Sequence, residues 1–175
     1  MFFIFAAVAV FSALFVMKIT PVAISVCIFL LLLVACASAD VNKGIIPDLI
    51  VIWIAVLAVI HLILIESFSI NGLISHLIGA ACISVPMLIC SLILKGAFGG
   101  GDIKLMAAAG LYLGWKYTLA GVVIGMFIAG IYGIYLLIRK KAGMKTKLRL
   151  APSLAFGLGV AALFGDLLIK LFFGW

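Results

Sequence analysis

The sequence predicts an all-α fold, a polytopic bundle of about six or seven membrane-crossing helices, and three observations carry that reading. Hydrophobic residues make up 69% of the 175-residue chain, against 12 basic and five acidic ones, and such a composition cannot cover a water-facing surface. The apolar runs approach the roughly 20 residues that a helix needs to cross a hydrocarbon layer of about 30 Å. The breaks between them are short, and the longest plainly hydrophilic stretch, residues 139–149, is eleven residues long. No soluble domain is left over, so residues 1–175 read as one integral-membrane domain.

Residues 2–17 form the first apolar run and 22–39 the second. As a single helix, residues 2–39 would be a rod of about 57 Å, almost twice the hydrocarbon thickness, so the runs are divided at Pro21. Leu33-Val34-Ala35-Cys36 and Ala37-Ser38-Ala39 resemble signal-peptide cleavage sites. Two long apolar runs precede them and no basic region does, which argues for retained helices. The third segment, about 49–65, follows Ile46-Pro47-Asp48. Pro47 suits a first helical turn, and Asp48 suits the positive end of the helix dipole as a cap. The fourth segment covers about 73–94. A glycine-rich loop leads to a fifth over 102–114, then the belt Trp115-Lys116-Tyr117, a sixth over 118–138, and a last over 152–173, opening at Pro152.

The fifth segment is short, about 18 Å of helix from residue 103 to 114, so it either crosses or re-enters. Charge bias favours crossing. In that case Lys43, Lys95, Lys104 and the six basic residues of 139–149 fall on one side, nine of the twelve in the chain, and that side is predicted to be cytoplasmic. A short fifth helix also sinks Asp102 below the surface. The net charge of +7 is thereby assigned to orientation and lipid headgroups rather than to nucleic acid. Cys27, Cys36, Cys82 and Cys90 show no C-x-x-C spacing, so no metal, cofactor or disulfide framework is expected. His61 and His76 read as packing residues on the outer half, and Asp166 and Lys170, four apart, as a local ion pair.

Of the five acids, Asp40, Asp48 and Asp102 fall on the predicted cytoplasmic side. An acid near hydrocarbon costs about 2.5–3.5 kcal/mol on insertion scales and is a functional candidate by default. Asp40 closes the second helix and Asp102 opens the fifth, so the two can meet at one depth if those helices pack together. Two acids sharing a site cannot both ionise cheaply and hold one proton between them. The ionised member can then take a proton from water while the protonated one donates to an oxyanion, as in an aspartic protease. Gly99, Gly100 and Gly101 permit positive φ and close approach of another chain, and a flexible turn opening a helix needs the same residues. The same acids could equally serve an ion- or proton-coupled transporter or channel subunit.

Asp40 followed by Ile46-Pro47, then Gly99-Gly100-Gly101-Asp102-Ile103-Lys104-Leu105, then Ala151-Pro152-Ser153-Leu154-Ala155-Phe156-Gly157, together resemble the type IV prepilin peptidase family of GxGD intramembrane aspartic proteases. The resemblance implies the GxGD protease fold, with Asp40 and Asp102 as the catalytic pair. Gly99, Gly101 and Lys104 would be motif residues, with Pro47, Asp48 and Pro152 in support. Asp48 stands where the family usually has Asn. The implied substrate is a prepilin or pseudopilin with a short basic leader, cut at the cytoplasmic face of the inner membrane, with pilus-assembly or secretion components as further partners. No insertion with two C-x-x-C pairs is present, which implies the short form of the family, a peptidase without methyltransferase activity.

Overall fold

The computed structural model describes residues 20–64, 70–94, 98–138 and 150–174. Within them lie five helices: α1 (Pro21–Lys43), α2 (Asp48–Leu64), α3 (Ile70–Ile93), α4 (Gly100–Ile138) and α5 (Ala151–Phe173). The expected first segment, residues 2–17, and the basic stretch 139–149 lie outside the described residues. Four helices are long and apolar enough to cross a membrane, and α2 is a shorter apolar helix. The chain is a multi-pass membrane protein.

Local sequence sets the helix ends. Thr20 caps α1, its hydroxyl accepting from the Ala23 N–H at 3.2 Å, with Pro21 in the first turn. At the other end Gly44 takes φ 66°, and its N–H donates to the Asp40 carbonyl at 2.8 Å. A left-handed cap of this kind favours glycine because it has no Cβ. The chain turns within four residues and α2 begins at Asp48, so the first turn of α2 stands beside the last turn of α1.

The fifth and sixth expected segments turn out to be one continuous helical run, α4, broken at a single residue. Gly114 has φ 75° and ψ 169°, a conformation essentially confined to glycine. The packing on either side shows that the chain reverses there. The first limb, α4a (residues 100–113), starts beside the Asp40 end of α1 and reaches Tyr112, whose ring stacks on Phe29 with centroids 4.2 Å apart. The second limb, α4b (residues 115–138), starts with Tyr117 against Gly165 and Asp166 of α5 and runs back, placing Gly125 against Ser153 and Leu154. The short limb therefore runs from the Asp40 end of α1 to the level of Phe29 and His76. Trp115, Lys116 and Tyr117, expected as an interfacial belt between segments, belong to the first turn of α4b. A one-residue reversal leaves no polar loop to mark the boundary.

Glycines let the limbs pack closely. Gly79 of α3 meets the backbone of Gly110 and Gly114, and Gly157 of α5 meets Gly121 and Gly125 of α4b. The Gly121/Gly125 pair thus serves internal packing. The core lies between these layers, with Phe29, Leu33, Ile54, Leu105, Met106 and Leu158 fully buried. At the end remote from Asp40, Ser25 links three helices, lying 2.9 Å from His61 Nδ1 and 3.0 Å from the Tyr112 hydroxyl. His76 Nδ1 lies 2.8 Å from the carbonyl of Leu111, near the break. Both histidines are buried.

Candidate active site

Three helix ends converge at the opposite pole. The last turn of α1 supplies Asp40, 8% exposed, the connection to α2 supplies residues 44–48, and the start of α4 supplies residues 99–102 and Lys104. Together they line an open cavity of about 470 Å³ that includes both Asp40 and Asp102. The two carboxylates are close enough that the charge on Asp40 acts on Asp102. The structure thus brings into one pocket two acids that are 62 positions apart in sequence.

Asp102 is positioned by its own helix. Gly99 precedes the first helical residue, and its N–H donates back to the Asp102 carboxylate, which is half of a capping box. The Gly99 carbonyl accepts from the Ile103 N–H at 3.2 Å. Half-buried at the cavity wall, the carboxylate is held by this backbone contact with its remaining surface toward the pocket.

The motif glycines serve close approach rather than unusual dihedrals. Among the described residues only Gly44, Gly114 and Gly174 have positive φ, so the positive φ anticipated at 99–101 is not used. A Cβ on Gly101 would stand 2.9 Å from the Ile46 Cβ, and one on Gly99 would stand 3.1 Å from Asp102 Oδ2, whereas one on Gly100 would meet nothing within 4 Å. Gly101 and buried Ile46 therefore clamp the α1–α2 connection onto α4. Sequence reasoning missed Ile46 and Gly44 as parts of the site. Their signal was present in Gly44, a glycine placed just past a helix.

Lys104 Nζ donates to Asp48 Oδ1 at 2.8 Å, both side chains being more than half exposed. Instead of simply snorkelling to headgroups, Lys104 bridges α4 to the start of α2 across the rim of the cavity. Pro47 also lines it. Pro152 does not: it lies in the first turn of α5 and shapes that helix start. The expected pair of Asp166 with Lys170 is likewise replaced, because Asp166 accepts from the Tyr117 hydroxyl at 2.7 Å. The four cysteines are free thiols.

The profile of the type IV leader peptidase family matches residues 27–134, a span that holds both acids. A prepilin leader peptidase/N-methyltransferase of Bacillus subtilis (strain 168) is 31% identical over 146 residues, 83% of this chain and 57% of that protein. Proteins of the same description from Aeromonas salmonicida (strain A449) and Pseudomonas putida are each 32% identical over 72 residues, 41% of this chain and 25% of theirs. The chain thus spans between a quarter and rather more than half of the length of these relatives. No solved structure matches at a significant level.

Proposed function

Because this chain belongs to the type IV leader peptidase family, we propose that it is a membrane-embedded aspartic endopeptidase that removes the short basic leader from prepilin-like or preflagellin-like precursors. The observation that carries this is the lining of one cavity by Asp40 and Asp102. The cleavage takes place at the cytoplasmic face of the inner membrane. Lys43 and Lys104 stand at the pole that holds the cavity, and the positive-inside rule assigns such basic residues to the cytoplasmic face. Residues 1–175 act as one peptidase domain.

In the reaction a single proton is shared between the two carboxylates. The ionised one removes a proton from a water molecule, and the resulting hydroxide attacks the scissile carbonyl. The protonated one donates to the oxygen that gains charge, then the proton taken from water passes to the leaving amine. Gly99 N–H fixes the orientation of Asp102 throughout. The space above Gly100 leaves room for an extended peptide to lie along the backbone. Nothing in the geometry or among the relatives favours ion-coupled transport.

The test is cleavage of a prepilin reconstituted in membranes with the parent, Asp40→Asn and Asp102→Asn. Each substitution keeps the side-chain shape and removes an ionisable group, and each is expected to lower the rate by about 10²–10⁴-fold. Normal processing by either variant refutes the pair.

A further inference from the structure

The pole opposite Asp40 and Asp102 holds polar chemistry that peptide cleavage does not use. A second cavity, about 190 Å³, opens there, and its wall includes His61, Tyr112, Tyr117 and Asp166. Two helix breaks flank it. Gly114 reverses α4 on one side, and Phe164, with φ −122° and ψ 25°, interrupts α5 on the other. Gly165 is what lets the Tyr117 ring lie against α5, since a Cβ there would run into it. Tyr117 then holds Asp166 by its Oδ1.

Lys170 lies one helical turn further on, and Asp166 and Lys170 form no ion pair. An anion and an exposed cation thus sit about 6 Å apart along one helix without neutralising each other. A ligand that answers both must be zwitterionic, with an N–H-bearing cation for Asp166 and an anion for Lys170. Phe164, Leu167 and Leu171, exposed at 42%, 65% and 76%, flank the pair with apolar surface. Such a surface suits acyl chains and favours a lipid over a soluble zwitterion.

We propose that Tyr117, Asp166 and Lys170 form a headgroup site for an aminophospholipid carrying a primary ammonium. The ammonium donates to Asp166 Oδ2, Lys170 donates to the phosphate, and Tyr117 holds the carboxylate in place. A trimethylammonium headgroup has no N–H to donate, and a glycerol headgroup has no positive charge. The site therefore discriminates phosphatidylethanolamine from phosphatidylcholine and phosphatidylglycerol.

The experiment uses the purified full chain in detergent, reading the thermal unfolding midpoint and lipid retention by native mass spectrometry. Phosphatidylethanolamine is expected to raise the midpoint by about 2–4 °C and to stay bound, while the other two lipids and water-soluble phosphoethanolamine do neither. Asp166→Asn and Lys170→Gln should each abolish the phosphatidylethanolamine shift and leave prepilin cleavage unchanged. Lys170 is exposed, so its variant reads the site without disturbing helix packing. An equal shift with phosphatidylcholine or phosphatidylglycerol, an equal shift with soluble phosphoethanolamine, no shift with any lipid, or a shift that survives in Lys170→Gln overturns the proposal.

Discussion

Gly100 and Gly101 are neighbours in one motif, yet their surroundings differ. A methyl group on Gly101 would press into Ile46 at 2.9 Å, while one on Gly100 would meet open space. Gly101→Ala is therefore expected to cost about 1–3 kcal/mol of stability or to displace the α1–α2 connection, with loss of prepilin cleavage. Gly100→Ala should leave the unfolding midpoint within the small gain that a helical glycine-to-alanine change brings, about 0.5 kcal/mol. Equal effects of the two in a paired stability and cleavage measurement would contradict this packing. At the rim, the exposed Lys104–Asp48 pair contributes at most about 1 kcal/mol, screened by salt. Asp48→Asn should accordingly change the midpoint little and reduce its sensitivity to ionic strength, as a salt series on both proteins would show. The acids themselves were legible from scarcity and placement. Their surroundings were not: Lys104 finds Asp48 across 56 positions and Tyr117 finds Asp166 across 49, and spacing along one helix cannot reveal such partners.

Among the elements, α4 is the one whose form the sequence concealed. Its apolar character was plain, and its two limbs were read as separate segments with a belt between them. Hydropathy detects polar loops, and a reversal made by one glycine supplies none. What fixes the turn is backbone geometry. Gly114→Ala forces a Cβ into φ 75°, and the same Cβ would approach Ser75 Oγ at 3.2 Å. The expected cost is about 1–3 kcal/mol, measurable as a lower unfolding midpoint with α3 and both limbs of α4 losing hydrogen-exchange protection first. The break also explains why the short limb is sufficient. Its start stands beside the last turn of α1 and the connection to α2, which puts Asp102 on the same cavity as Asp40.

For the molecule as a whole, the helices alternate in direction. α1, α3 and α4b run toward the pole that holds the two acids, and α2, α4a and α5 run away from it. This arrangement was legible in outline from charge, because only a crossing fifth segment puts most basic residues on one side. It can be measured with a Cys-free background. Cysteines placed at Ile45 and at Lys116 should react with a membrane-impermeant maleimide from opposite faces, and labelling of both from one face would refute the alternation. Cysteines at 40 and 102 should crosslink to each other, since both positions line one cavity.

The packing of α1 carries a consequence for biosynthesis. α1 bears Asp40, yet besides α2 and α4a it packs on α5, the last of the described helices, where Leu30 meets Gly159 and Val26 packs with Ala162. Asp102 leaves the ribosome 62 residues after Asp40, and the helix that steadies α1 follows later still. A half-inserted chain therefore holds one acid of the pair, or both without their final support. The cavity that holds both acids is therefore complete only after residues 99–102 and Lys104 have joined the α1–α2 connection, and α1 gains its α5 contacts only once residues 159–162 have followed.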